Sequence, residues 1–504
     1  MNNCEMPYDI NEITTYNPLY DSIKFYPKTS VKQYEERLSY NKYSFTDISG
    51  VKRECFKKYI TLVDYVKFLI GKYKLDDINQ LPCLEKNKTG DFQEYIHSIH
   101  NYAYVDGFFY YLTSTLKHSG FVHGIDFYDS YICVSKDCNI NIADDIEYLC
   151  DSNFFNEKLN HLFHFKDPNF GSIFKKNAPV TISDEHVTID VDELSGSEDE
   201  PESKLEDIIP DECYNSSSES EDSDHSTVDN SIDENENENE NDWETDDEDE
   251  TPELEELTLI IHKIPTQVIA IECCDSTFDS ILESDKITME ELESAMFQII
   301  VMLYVYQNAF KFTHNDLHTN NIMYIHTTEP YLNYKIMGKY YKIPTYGKIY
   351  KIIDFGRSIY TVNDQLLCSD SFSSNGTAHT QYNFGPFLNP NKPVIEPNYS
   401  FDLCRLACSM VDFIVDDFKN IQTYRQVPVY DMIISWLYDD NDINVLYKKN
   451  GDERYPDFKL YKMIARIVHN HTPDKQFSHP CFKKYETSTI EPCMDLDNFN
   501  KTHI

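Results

Sequence analysis

The feature that most restricts how this sequence can fold is an acidic stretch near its middle. Between positions 184 and 256 there are 33 Asp or Glu residues and a single Lys or Arg, Lys204, so about −32 of the formal net charge of −43 lies there. This stretch has too few apolar side chains to offset the entropy of ordering, and its like charges repel one another. We therefore predict that 183–256 is a disordered insertion that divides the chain.

Two roles are open for this insertion. Its composition alone explains a flexible, solubilising segment. A polyanion can also bind basic proteins such as histones or capsid proteins, and Ser197-Glu-Asp-Glu and Ser220-Glu-Asp-Ser are sites of the kind that acid-directed kinases modify. Under either interpretation, we expect the rest of the chain to fold without 184–256.

Outside the insertion, the composition is that of a globular protein. The chain is 40% hydrophobic and 14% aromatic, and about −11 of net charge is left for the remaining residues. These values predict a substantial core and no basic surface for direct contact with DNA or RNA. The 14 cysteines lack zinc-ligand spacing. No segment approaches the roughly 18 apolar residues of a membrane span, so we expect a soluble, intracellular protein without membrane contact.

Four segments have clear secondary-structure patterns. On the N-terminal side of the insertion, 101–116 repeats apolar residues at helical spacing, and 121–134 has the pattern of a strand with a turn. On the C-terminal side, 267–273 is a short β-branched run, and 289–310 repeats apolar residues every three to four positions. The last segment predicts a long buried helix that leads into the most informative part of the sequence.

Two polar motifs follow that helix. The first is Thr313-His-Asn-Asp-Leu-His-Thr-Asn-Asn-Ile-Met, and the second is Ile352-Ile-Asp-Phe-Gly-Arg-Ser. Phosphoryl transfer requires a carboxylate that orients the acceptor hydroxyl and oxygen ligands for the metals that neutralise the phosphates. Asp316 fits the first role as catalytic base, and Asn321 and Asp354 fit the second as Mg²⁺ ligands. We interpret all three as catalytic residues.

These motifs resemble those of the eukaryotic-type protein kinase superfamily, whose catalytic loop reads H-R-D-L-x-x-x-N and whose metal-binding turn reads D-F-G. The resemblance covers roughly 258–440, with a long hairpin between the two motifs that looks like the haspin branch. The whole chain is similar to the serine/threonine kinases of giant DNA viruses of the mimivirus kind. A viral origin implies the host cytoplasm as the location, or packaging in the virion.

The resemblance implies an α+β, bilobal kinase-like fold that binds ATP and Mg²⁺, with a small β-rich N-lobe and a mainly helical C-lobe. The implied divisions are an N-terminal extension at 1–40, N-lobe residues at 41–182 and 257–274 on either side of the insertion, and a C-lobe at 275–504. Glu272 and Cys273 fall where a hinge would hold adenine through its backbone. Asp402 falls where an aspartate supports the catalytic loop from beneath.

The side of the site that would hold the phosphates is less regular in sequence. The chain contains no G-x-G-x-x-G, and the best candidate for a cover is 45–51. The phosphate-binding lysine is Lys58 or Lys57; a Phe-x-Lys strand in the similar viral kinases favours Lys58, although a solvated lysine in a charged run is equally consistent. Its carboxylate partner is Asp106, with Glu94 as the rival. An aspartate at this position would reach one methylene less than the usual glutamate.

Three functions are consistent with these residues. The first is a serine/threonine protein kinase acting on an unidentified protein substrate. The second is a small-molecule kinase of the same fold, which the sequence Asn315-Asp-Leu-His318 permits. The third is a pseudokinase scaffold, suggested by the missing glycine-rich loop. Since Asn315 stands where kinases usually have arginine, we do not expect activation by phosphorylation of the Ser and Thr residues between 369 and 380.

Overall fold

The computed structural model describes residues 8–82, 90–168, 170, 257–284, 287–448 and 451–501. The predicted disordered insertion at 183–256 lies outside these residues. The described chain contains both helices and mainly antiparallel sheets, so the predicted α+β class is confirmed. Each helix among these residues is too short or too polar to cross a lipid bilayer.

One seven-stranded antiparallel sheet combines residues from both sides of the acidic segment. Its order is β1-β5-β7-β4-β3-β2, with β6 also paired to β7. The strands are β1 (Tyr8–Thr14), β2 (Val31–Arg37), β3 (Lys42–Asp47), β4 (Lys52–Thr61), β5 (Phe127–Asn141), β6 (Phe163–Phe165) and β7 (Thr258–Ile271). The central strand β7 is rich in β-branched residues and buried over most of its length, as expected for a strand covered on both faces.

The N-terminal boundary of this sheet differs from the predicted one. Residues 1–40 were expected to be an extension, but β1 pairs with β5 and β2 pairs with β3. The chain around 8–14 and 31–37 has little continuous apolar character, so its strands are specified by pairing with neighbours rather than by their own composition.

The chain on both sides of the acidic segment is anchored in adjacent strands. In the register of β6 and β7, Phe165 pairs with Leu259, and the backbone N–H of Lys166 donates to the carbonyl of Thr258 at 3.0 Å. Strands that precede and follow the acidic segment in sequence are therefore direct neighbours in the sheet.

Six helices accompany this sheet. They are α1 (Pro18–Ser22), α2 (Tyr65–Leu69), α3 (Asp91–His97), α4 (Tyr102–His118), α5 (Ile146–Cys150) and α6 (Asn153–Lys158). The longest, α4, packs against β5 and β7. It begins after Asn101, whose side chain accepts a hydrogen bond from the backbone N–H of Ala103 at 3.0 Å. It matches the helix predicted at 101–116.

The C-terminal part of the chain is built around one buried helix. This helix is α8 (Met289–Phe310), as predicted, and Thr288 and Glu291 form a capping box at its start. The other helices are α7 (Phe278–Glu283), α9 (Phe401–Met410), α10 (Ile421–Tyr424), α11 (Pro428–Ser435), α12 (Lys459–Ile467) and α13 (Pro473–Gln476).

Three small sheets accompany these helices, so 275–504 is less purely helical than expected. Their strand orders are β15-β11-β10-β16, β12-β9-β8 and β13-β14. The strands are β8 (Ser276–Thr277), β9 (Ile322–His326), β10 (Tyr331–Ile336), β11 (Lys339–Pro344), β12 (Lys348–Ile352), β13 (Ile359–Val362), β14 (Gln365–Cys368), β15 (Glu486–Thr487) and β16 (Met494–Asp495). The pairing of β9 with β12 brings the two polar motifs together. Ile322, near the end of the first motif, pairs with Ile352, the first residue of the second.

Candidate functional site

Lys58 joins three distant parts of the sequence. Its Nζ atom lies 2.8 Å from Oδ2 of Asp106 on α4 and 3.1 Å from Oδ1 of Asp354. Burial alone would lower the pKa of Lys58, but the charges of Asp106 and Asp354 more than offset this and raise it well above its ordinary value. Lys58 is therefore a firmly charged cation held between two carboxylates.

The structure separates these residues from their sequence rivals. Successive side chains on a strand point to opposite faces, so Lys57 lies on the other side of the sheet from Lys58. The Nζ atom of Lys57 is 3.4 Å from the ring centroid of Tyr34 and donates to the Tyr131 hydroxyl at 3.1 Å. Glu94 is exposed on α3. Lys58 and Asp106, rather than Lys57 and Glu94, contact the second polar motif.

Asp106 reaches the site because α4 packs closely against the sheet. The next residue, Gly107, has no side chain, and a Cβ atom placed there would lie 3.2 Å from Ile269 and still closer to Gln267 on β7. Asp106 is only 1% exposed, and burial raises its pKa to about 6 although Lys58 opposes the shift. The glycine thus compensates for the short reach of an aspartate.

Asp354 is tied to the same helix through its backbone. It has a φ of +63°, a left-handed conformation that is uncommon for an aspartate. Its N–H donates to the hydroxyl oxygen of Tyr110 at 2.9 Å, and the N–H of Phe355 donates to Oδ1 of Asp106 at 2.6 Å. The Asp354 side chain is 52% exposed, and the charge of Lys58 lowers its pKa. The carboxylate of Asp354 is therefore ionised and accessible.

An aromatic cluster supports this turn. The ring of Phe355 lies 4.7 Å from Phe109 and 4.8 Å from Tyr110, both on α4, and 5.7 Å from His314. Contacts of this kind contribute beyond their buried area. The cluster connects α4 to both polar motifs.

Asp402 on α9 holds the first motif from beneath, as the resemblance implied. Its two carboxylate oxygens accept the backbone N–H groups of His314 and Asn315, each at 2.9 Å. Burial raises the Asp402 pKa, and these two residues oppose that shift. His314 braces the loop further, because its Nε2 donates to the carbonyl of Ile353 at 2.9 Å.

Asn315 stands where the resembling kinases have arginine, and it forms neutral hydrogen bonds. It is buried with a φ of +65°, and its Nδ2 donates to the carbonyl of Arg357 at 2.9 Å. Its Oδ1 accepts from the hydroxyl of Tyr382 at 2.7 Å. Asn315 therefore joins the loop to the chain that follows Asp354 through neutral hydrogen bonds.

Asp316 contacts two residues that sequence reasoning missed. Its Oδ1 accepts from the hydroxyl of Tyr461 on α12 at 2.8 Å, and its Oδ2 lies 3.5 Å from Nη1 of Arg357. Arg357 follows the Asp-Phe-Gly triplet directly, so it could have been considered. Nothing in the sequence spacing connects Tyr461 to residue 316.

Asn321 lies beside Asp316 and close to the residues that lead into Asp354. Its Nδ2 donates to the carbonyl of Asp316 at 2.9 Å and to Nε2 of His318 at 3.0 Å. Its own carbonyl accepts from the N–H of Ile353 at 3.0 Å. Burial lowers the pKa of His318, consistent with a neutral acceptor ring. The Asn321 side-chain oxygen is the atom that remains for a ligand.

Glu272 and Cys273 differ in what they can offer a ligand. The Glu272 carboxylate lies 2.8 Å from Lys117 and 3.2 Å from Lys351, and its N–H donates to the carbonyl of Asp126 at 2.9 Å. Within the described residues, the backbone N–H and C=O groups of Cys273 and Cys274 make no hydrogen bond to another backbone group. Glu272 fixes this segment, and the cysteine backbone is the part available for recognition.

No set of three or more His, Cys, Asp or Glu side chains in the described parts of the chain is arranged to hold a metal on its own. A scan against models of protein families and a search of curated proteins gave no match for this chain.

Proposed function

We propose that this chain is an ATP-dependent phosphotransferase with a bilobal protein-kinase-like fold, acting as a serine/threonine protein kinase. The observation that carries the proposal is the convergence of Lys58, Asp106 and Asp354. Sequence named Lys58 and Asp106 as a pair, with Lys57 and Glu94 as rivals, and named Asp354 from a separate motif. The Nζ atom of Lys58 lies 2.8 Å from Oδ2 of Asp106 and 3.1 Å from Oδ1 of Asp354. A lysine paired with a helix carboxylate and aimed at a metal-binding carboxylate is the arrangement that protein kinases use to hold phosphates.

The residues fit a magnesium–nucleotide complex. Mg²⁺ in phosphotransferases takes one or two protein oxygen ligands and fills its other positions with phosphate and water. The exposed carboxylate of Asp354 and the side-chain oxygen of Asn321 match that requirement, and Lys58 suits the phosphates. The backbone of Cys273 and Cys274 suits the adenine edge. Bound MgATP would supply the phosphoryl group and the cation that neutralises its charge.

The remaining residues serve the acceptor hydroxyl. Asp316 is braced through its loop by Asp402 and lies next to Asn321, so its carboxylate can orient a serine or threonine hydroxyl and accept its proton. Arg357, 3.5 Å from Asp316, provides positive charge on the same side. The proposal thus gives separate groups to the nucleotide and to the acceptor.

The first experiment measures transfer of labelled γ-phosphate from MgATP to generic protein substrates. Asp316→Ala should lower transfer by at least about a hundredfold while leaving MgATP binding intact. Asp354→Ala should abolish the Mg²⁺-dependent nucleotide binding seen by thermal shift. Glu396→Ala, an exposed carboxylate outside the site, is the matched control and should match the wild type.

Other outcomes would redirect the proposal. MgATP binding together with transfer to free metabolites but not to protein would favour a small-molecule kinase. Binding with no transfer at all would favour a scaffold. Equal transfer by wild type and Asp316→Ala would disprove the catalytic assignment.

A further inference from the structure

The hydroxyl of Tyr461 has a defined hydrogen-bond direction. It accepts from Nε of Arg405 at 2.9 Å and lies 2.8 Å from Oδ1 of Asp316. Arginine has no acceptor atom, so Arg405 must be the donor in the first bond. The single phenolic hydrogen of Tyr461 is then directed to the carboxylate of Asp316.

The phenol ring is held in place by its surroundings. It stacks on Phe458 at 5.4 Å and lies 6.1 Å from Phe401, while the guanidinium groups of Arg405 and Arg357 lie 5.1 and 5.7 Å from its centroid. Such contacts restrict the rotation of a tyrosine that is only partly exposed. Tyr461 therefore presents its hydroxyl to Asp316 from a fixed position.

The first motif does not itself orient the Asp316 carboxylate. His318, two residues further on, uses Nε2 to accept from Asn321, so it gives Asp316 no hydrogen bond through that atom. The side-chain contacts of Asp316 come instead from Tyr461 at Oδ1 and from Arg357 near Oδ2. Orientation of this carboxylate depends on a helix 145 residues away in the sequence.

We propose that Tyr461, held by Arg405, is a positioning residue for Asp316, and that α12 thereby completes the acceptor side of the site. By occupying Oδ1, the phenol leaves Oδ2, beside Arg357, as the oxygen that receives the acceptor hydroxyl. This inference rests on the proposed function, and it assigns a role to a region for which the sequence indicated none.

The test compares Tyr461→Phe with the wild type in the phosphate-transfer assay. The variant keeps the ring and loses only the hydroxyl, so kcat should fall about tenfold, the order expected for one hydrogen bond to a charged group. The KM for MgATP and the thermal shift that MgATP produces should not change, because the Lys58 side of the site is untouched. Tyr447→Phe, which removes a phenol that donates to Asp412 at 3.3 Å, is the control and should have no effect.

A double-mutant cycle separates positioning from general packing. If Arg405 acts through the phenol, Arg405→Met should lower kcat, and the double variant Tyr461→Phe/Arg405→Met should be no slower than Tyr461→Phe alone. Additive losses would overturn this part of the proposal.

Three results would overturn the inference. A Tyr461→Phe variant as active as the wild type would show that the phenol does not position Asp316. Faster transfer would show that it blocks the acceptor instead. Absence of Asp316-dependent transfer in the wild type would remove the proposed function together with this inference, whereas the first two results leave the proposed function standing.

Discussion

At the scale of single residues, the carboxyl group of Asp370 is buried, and this burial opposes its ionisation. Its Oδ1 accepts from the backbone N–H of Tyr102, the first residue of α4, at 3.0 Å. Burial raises its pKa to about 7, and the neighbouring groups that modify this value are Tyr95, Lys67 and Asp64. Since an unfolded aspartate titrates near 4, Asp370 binds more protons in the folded state between about pH 4 and pH 7.

The sign of the pH effect follows from this difference. Stability falls with rising pH wherever the folded state binds more protons, so the wild type should lose stability from about pH 4 to pH 7 through this residue. Asp370→Asn keeps an acceptor for Tyr102 and removes the charge. The melting temperature of Asp370→Asn minus that of the wild type should therefore increase from pH 5 to pH 8, by about 2 °C or more. A constant difference across this range would contradict the assignment.

Residues differ in how far sequence could identify them. Asp316, Asn321 and Asp354 could be singled out from sequence because each lies in a contiguous motif. Lys58 and Asp106 could be named only with rivals, because strand alternation and the position of α4 decide between candidates. Tyr461 was not predictable, since its only signal is a contact formed in the fold.

At the scale of elements, α4 sets the geometry of the site. It supplies Asp106 to Lys58, Tyr110 to the backbone of Asp354 and Phe109 to the aromatic cluster. All three contacts require the helix to stay close to β7, and Gly107 is the residue that permits this approach.

Substitution at Gly107 should therefore move the whole element. In Gly107→Ala the new methyl would clash with Gln267 and Ile269, so α4 should shift outward and weaken the ion pair of Lys58 with Asp106. We expect a lower melting temperature, by an amount equivalent to about 1–3 kcal/mol, and a smaller thermal shift with MgATP.

Two further variants make this prediction specific. His118→Ala, at an exposed position of α4, should behave as the wild type. Adding Asp106→Glu to Gly107→Ala extends the carboxylate by one methylene and should restore part of the MgATP shift. No restoration would indicate that the helix does not act through this ion pair.

Some elements were predictable and others were not. The helix at Met289–Phe310 could be predicted because its apolar repeat and its capping box are both local signals. The strand expected at 121–134 begins only at Phe127 and continues to Asn141, because its length is set by pairing along β7. The small sheets around β10, β15 and β16 join residues that are far apart in sequence, which no local pattern indicates.

At the scale of the whole molecule, a long acidic segment separates two paired strands, β6 and β7, in the sequence. The sheet register joins Phe165 to Leu259, so the residues that flank the acidic segment are already neighbours. Closing a loop costs entropy that grows only slowly with its length, which explains how so long a segment is tolerated between two paired strands.

Replacing 184–256 by a short glycine–serine linker should leave the melting temperature unchanged or slightly higher. The gain in free energy of unfolding should not exceed about 1 kcal/mol, from the shorter loop alone. A variant with 184–256 scrambled at constant composition is the control for its charge. A large fall in melting temperature for the linker variant would mean that the segment is part of the fold.

The contact between Lys58 and Asp354 has a thermodynamic consequence. One carboxylate oxygen cannot serve an ammonium group and a divalent cation at full strength, so a metal ion alone must compete with Lys58, 3.1 Å away. A phosphate that draws Lys58 toward itself would release Asp354 for the metal. Under the proposed function, nucleotide and metal should therefore bind cooperatively, and linkage requires each to raise the affinity of the other by the same factor.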